Sequence, residues 1–132
     1  MFKNFKKNIL YNHNINIKKS KDTFFDFFIM RNDEKIYIKV FNSKRPYIIT
    51  FNSKFYIEIK KGRGRGVNFI TRKKALYNIS EFDNSKKVFI FITKPFKILS
   101  YKNESDIQDI SNFIEHKSIE FYSTWNDVFK EL

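Results

Sequence analysis

Arg45-Pro46-Tyr47-Ile48-Ile49-Thr50, the turn residues Asn52-Ser53-Lys54, Phe55-Tyr56-Ile57-Glu58-Ile59-Lys60-Lys61, the loop Gly62-Arg63-Gly64-Arg65-Gly66, and finally Val88-Phe89-Ile90-Phe91-Ile92-Thr93 are the most informative part of this chain. The β-branched and aromatic runs on either side of the first turn read as two strands, Tyr47–Phe51 and Phe55–Lys60. Residues two apart on a strand share a face, so Glu58 and Lys60 project together. The glycine and arginine loop follows them directly. Beyond it, Thr71 is placed to cap a helix whose apolar positions Ala75, Leu76, Ile79 and Phe82 keep the 3.6-residue period. Val88–Thr93 is a continuous apolar strand bounded by Lys86-Lys87 and Lys94-Pro95.

Working outward, Phe24–Arg31 and Ile36–Phe41 form a further pair of strand-like runs separated by Asn32-Asp33-Glu34-Lys35, the pattern of a hairpin. Phe-Asn-Ser-Lys occurs at 41–44 and again at 51–54, an echo suited to two successive strand ends. Phe96–Tyr101 predicts another strand. Ser105 with Gln108 makes a capping box ahead of Ile107, Ile110, Phe113 and Ile114, predicting a helix. A short strand at Ile119–Tyr122 precedes a last helix, Thr124–Leu132, with Trp125, Val128, Phe129 and Leu132 on one face. At the other end Phe2, Phe5, Ile9 and Leu10 recur at helical spacing.

These elements predict an α/β (α+β) fold in one domain, 1–132. A mixed central sheet is flanked by helices, and 1–21 forms a basic arm or short helix. With 132 residues, 42% of them hydrophobic and 19% aromatic, the chain has material for one core. Cysteine is absent, which excludes disulfides and thiolate metal sites. No apolar run reaches the roughly 18–20 residues of a membrane span. Met1–Lys21 lacks the apolar core of a secretory signal, and the reading is of an intracellular, cytoplasmic protein without membrane attachment.

Charge is the strongest global signal: 26 Lys and Arg against 14 Asp and Glu give +12. Such a surplus draws polyanions, nucleic acid above all. It is placed unevenly, with six Lys and no acid in the first 21 residues. The densest cluster is Lys60, Lys61, Arg63, Arg65, Arg72, Lys73 and Lys74. Arginine matches phosphate bidentately, glycine permits close backbone approach, and a helix opening at Arg72 would add its positive end. Lys61, Arg63, Arg65, Arg72, Lys73 and Lys74 are therefore the candidate nucleic-acid contacts, with Tyr47, Tyr56 and Tyr77 near enough to stack on bases. His13 and His116 stand alone in sequence.

Glu58-Ile59-Lys60 on a strand, preceded by a strand starting at Pro46 and followed by a basic loop, a helix and a buried strand, resembles the PD-(D/E)xK nuclease core. Within that superfamily it is most similar to archaeal-type Holliday junction resolvases. The resemblance implies a restriction-endonuclease-like fold and a homodimer hydrolysing phosphodiesters of branched DNA with Mg²⁺ or Mn²⁺. Glu58 would hold the metal and Lys60 would assist the attacking water. The family's first Asp should follow Pro46, where this chain has Tyr47; Asp26 or Asp33 would then supply the missing carboxylate. Two further readings stand beside it: a catalytically silent subunit of a nuclease complex such as a tRNA-splicing endonuclease, and a ribosome-associated RNA-binding protein. In the subunit reading, Phe113/Ile114 and Trp125/Phe129 would contact partners in a hetero-oligomer.

Overall fold

In the computed structural model the described residues are 17–19, 24–53, 55–64, 68–103, 105–124 and 126–128. They form two mixed β-sheets packed face to face, not one sheet flanked by helices. In chain order the strands are β1 (Ile17–Lys19), β2 (Phe27–Arg31), β3 (Glu34–Phe41), β4 (Tyr47–Phe51), β5 (Tyr56–Arg63) and β6 (Ile70–Asn78). They continue with β7 (Lys86–Phe91), β8 (Lys97–Asn103), β9 (Asp106–Asp109), β10 (Glu115–His116) and β11 (Ile119–Tyr122). One sheet has the order β1-β2-β3-β7-β11-β10 and the other β6-β5-β4-β8-β9. Helix among the described residues is confined to the 3₁₀ residue Asn68, a 3₁₀ turn, Ser80–Phe82, and a helical turn at 126–128.

The restriction-endonuclease-like α/β expectation is thereby overturned, and its two interior helices fail for separate reasons. Residues 70–78 pair along their length with β5, from Ile70 opposite Arg63 to Asn78 opposite Tyr56. Ala75 and Leu76 lie on opposite faces of that edge strand, while Ile79 and Phe82 belong to the turn that follows. The capping box at Ser105 is used differently. Its amide and hydroxyl both donate to the Asn103 side chain, at 3.0 and 3.2 Å, closing the turn between β8 and β9. The expected helix at Phe2–Leu10 lies outside the described residues. Of the expected Thr124–Leu132 helix, Val128 is described and buried, while Trp125, Phe129 and Leu132 are not.

Other expectations hold. The first hairpin turns on Asn32-Asp33, whose φ of 51° and 63° are the left-handed pair a two-residue type I′ turn requires. Lys117-Ser118, at 51° and 65°, repeats that turn between β10 and β11. The continuous apolar run at Val88 becomes β7, which pairs in parallel with β3 on one side and β11 on the other. A strand so placed is covered on both faces, which explains its lack of alternation. Phe89 and Phe91 enter the layer between the sheets with Phe41, Phe51 and Phe121, whereas Val88 and Ile90 join Phe27, Ile29, Ile36 and Ile38 on the opposite face. At the start of β7, the buried Lys87 ammonium donates to the carbonyls of Phe82, Asp83 and Ser85 at 2.8–3.2 Å, fixing the 3₁₀ turn.

The two sheets are joined by a pair of stacked arches. β3 crosses into β4, and β7 crosses into β8, with β3 parallel to β7 and β4 parallel to β8. The loops bond to each other: Thr93 N–H to the Phe41 carbonyl at 3.1 Å, Ser43 N–H to Thr93 Oγ1 at 2.8 Å, and Phe96 N–H to the Tyr47 carbonyl at 2.8 Å. The Tyr47 hydroxyl donates to the Thr93 carbonyl, and its ring stacks on Phe41 at 5.6 Å. This arrangement holds β5 and β6 as a ribbon at one edge of the second sheet, with β5 bonded to β4 from Ile57 to Lys61 on its other side.

Candidate nucleic-acid interface

Seven of the chain's cations and one acid, Glu58, fall between Tyr56 and Asn78, the span of the β5–β6 ribbon. The register decides how they are displayed. Lys60 lies directly opposite Lys74, and Lys61 directly opposite Lys73. Alternation sends the first pair to the outer face of the sheet, with Glu58, and the second pair to the inner face, with Ile59. Each face of the ribbon therefore carries a like-charged cross-strand pair, an arrangement that is repulsive by about 0.2–1 kcal/mol without a counter-charge.

On the outer face Glu58 supplies that charge. Its oxygens lie 3.5 Å from Lys60 Nζ and 3.9 Å from Lys74 Nζ, and its side chain is only 15% exposed. On the inner face no acidic partner of Lys61 or Lys73 occurs among the described residues. Arg72 has no pairing partner, because the register shifts between Lys61 and Gly62, and such a bulge re-aims a side chain. Arg63 is exposed near the ribbon's tip, and Arg65 lies outside the described residues.

The structure also explains two of the three glycines found here; Gly66 lies outside the described residues. A Cβ on Gly62 would lie 2.0 Å from the Ile70 carbonyl oxygen, and one on Gly64 would lie 2.1 Å from that of Asn68. Gly64 also has φ of +78°. The close approach made by these two glycines is to their own hairpin. The helix end expected at Arg72 is absent, so whatever attracts anions here is side-chain charge and not a helix dipole.

The proposed nuclease constellation does not assemble. Glu58 and Lys60 do share a strand face as expected, but both Glu58 oxygens are engaged by lysines. Asp26 belongs to the other sheet, where it accepts from Val40 N–H at 2.7 Å and pairs with Lys39 at 3.4 Å. Asp33 is in the β2–β3 turn. Among the described residues no three His, Cys, Asp or Glu side chains group to hold a metal ion. Among the described residues Asp26, Asp33 and Glu58 are not brought together as the carboxylate set that Mg²⁺ or Mn²⁺ takes. Tyr47, at the position of the missing Asp, is buried in the core, and burial pushes its phenol far above the usual range.

Of the three tyrosines expected near the site, Tyr56 is exposed on the outer face and Tyr77 lines a cleft on the inner side. Sequence reasoning missed Tyr101, which is exposed on the outer face of β8, and Lys39, which shares the inner cleft with Lys61 and Lys73. Neither has a local signal, since both are brought to the site by pairing between distant strands. His116 is half-buried on the edge strand β10, against the core: its Nε2 lies 2.9 Å from the Ser100 hydroxyl and its ring meets Phe51 edge-on at 5.0 Å. Burial, with a smaller contribution from Lys117, lowers its pKa. No helix among the described residues is long and apolar enough to cross a membrane. No protein family, curated protein or solved structure matches this chain.

Proposed function

We propose that this protein binds nucleic acid through the β5–β6 ribbon. The observation that carries the reading is the pairing of Lys60 with Lys74 and of Lys61 with Lys73 on opposite faces of one edge ribbon. Repulsion between Lys61 and Lys73, which have no acid beside them among the described residues, is relieved by a polyanion, and Lys60 and Lys74 present further charge on the outer face. Exposed Tyr56 and Tyr101, on the same outer face as Lys60 and Lys74, support base stacking by an unpaired strand. Glu58 serves this reading as an internal counter-ion that holds two lysines in place, and no hydrolytic step is assigned to it.

Edge lysines also prevent strand-to-strand aggregation, and the test separates that role from binding. The full chain and a variant carrying Lys60→Gln, Lys61→Gln, Lys73→Gln and Lys74→Gln are titrated by fluorescence anisotropy against duplex DNA, single-stranded DNA and RNA over a salt series. The expected result is binding whose logarithm falls linearly with log salt, by about 0.7 per phosphate on single strands and 0.9 on duplex, with a shallower slope in the variant. A variant that stays monomeric and binds with unchanged affinity and slope refutes the proposal.

A further inference from the structure

The inner lysine pair opens onto a cleft of about 470 Å³ between the two sheets, within the about 300–1,000 Å³ range of small-ligand pockets. Three strands from both sheets bring Lys39, Lys61 and Lys73 to it, with Lys74 at its margin, and Phe41, Ile59 and Tyr77 supply apolar and aromatic wall. Asp26 pairs with Lys39 at 3.4 Å, while Lys61 and Lys73 have no acid beside them among the described residues. Tyr77 is braced from behind by Phe24, with ring centroids 4.9 Å apart, so it is held as a fixed surface. Cations at the mouth and a braced ring within suit a ligand that carries a phosphate on one side and a flat aromatic system on the other.

From this we infer that the cleft binds a single nucleotide, its phosphate held by Lys61 and Lys73 and its base set against Tyr77. The inference rests on the nucleic-acid reading of the ribbon and gives the inner face a distinct task. The outer pair contacts the polymer backbone, while the inner pair takes one nucleoside monophosphate group. That group can come from a free nucleotide or from the phosphorylated end of a strand.

Calorimetry on the full chain tests it, with adenosine monophosphate, inorganic phosphate, and one oligonucleotide carrying either a 5′-phosphate or a 5′-hydroxyl. Adenosine monophosphate is expected to bind at least tenfold more tightly than inorganic phosphate. Lys61→Gln with Lys73→Gln should weaken it tenfold or more, while Lys60→Gln, outside the cleft, leaves it within twofold. The pair Lys61→Arg and Lys73→Arg should retain it, which separates loss of charge from loss of fold, and Lys60→Gln alone is the outer-face control, because Lys74 also lines the cleft. A preference for the 5′-phosphorylated oligonucleotide identifies a strand end as the source; equal affinity for the two oligonucleotides identifies the free nucleotide. Equal loss of adenosine monophosphate in both glutamine variants, or affinity no better than for inorganic phosphate, overturns the inference. The ribbon proposal survives that result if oligonucleotides still bind, and fails alone if the mononucleotide binds but no oligonucleotide does.

Discussion

Replacing Glu58 by Gln removes the one negative charge on the ribbon without changing its shape, and the structure gives opposite signs for its two consequences. The carboxylate now holds Lys60 and Lys74 at 3.5 and 3.9 Å. Both lysines are substantially exposed, so each pair contributes about 0.2–1 kcal/mol. Once the carboxylate is gone, the directly opposed ammonium groups repel by a further about 0.2–1 kcal/mol. The variant should therefore lose about 0.6–3 kcal/mol of stability, a fall in Tm of about 2–12 °C at roughly 4 °C per kcal/mol for a chain of this size. Affinity for nucleic acid should rise. Each additional phosphate contact on a single strand steepens the salt slope by about 0.7, which is about fivefold in affinity at 0.1 M salt. Freeing one or both lysines gives about 5- to 25-fold. Anisotropy titration from 0.05 to about 0.3 M salt reads both quantities, and circular dichroism confirms retained β structure. A folded variant that binds more weakly, or with an unchanged slope, refutes the assignment of Glu58 as a counter-ion.

At the β10–β11 turn, Lys117-Ser118 occupies left-handed backbone that both residues disfavour; replacement by Asn-Gly should add about 1–2 kcal/mol, read as a higher urea midpoint with unchanged m. Gly62→Ala should open the tip of the ribbon, because its Cβ would meet the Ile70 carbonyl at 2.0 Å. The expected cost is about 1–3 kcal/mol, and amide exchange at Ile70 and Thr71 should accelerate while that of β7 does not. His116 has a lowered folded-state pKa, so the unfolded chain takes up its proton first. Stability should fall as pH drops through about 6.5 and level off below the folded value, and His116→Gln should remove that part of the pH dependence in thermal melts.

How far the fold could be read from the sequence depended on where each segment's partners lie. The β2–β3 hairpin was legible because its turn chemistry is local, and β4 and β11 because β-branched and aromatic runs are bounded by turn residues. The segment Arg72–Leu76 misled because Arg, Lys, Ala and Leu favour helix intrinsically, while its strand state comes from pairing with β5, a tertiary choice that outweighs propensity. With both helices gone, the single flanked sheet became two facing sheets. The shared face of Glu58 and Lys60 was correctly anticipated from alternation, but its meaning was not, since the lysine opposite, Lys74, was assigned to a helix. The more telling internal echo also escaped notice. Phe41-Asn-Ser-Lys-Arg-Pro-Tyr and Phe91-Ile-Thr-Lys-Pro-Phe mark the two stacked arches, whereas the Phe-Asn-Ser-Lys at 51–54 begins at the end of β4 and runs into an ordinary hairpin turn.

The stacked arches set the order in which this chain can fold. β3 and β7 meet only after the intervening fifty residues have looped out, with Phe41 opposite Phe91, and the entropy of that closure must be met before the contacts return anything. Non-local pairing of this kind belongs to the slow end of single-domain folding, about milliseconds to seconds. During that interval the apolar segment Val88–Phe91 waits without its neighbours. Lys86 and Lys87 before it, and Lys94 with Pro95 after it, are the charges and ring that keep one nascent molecule from pairing with the next.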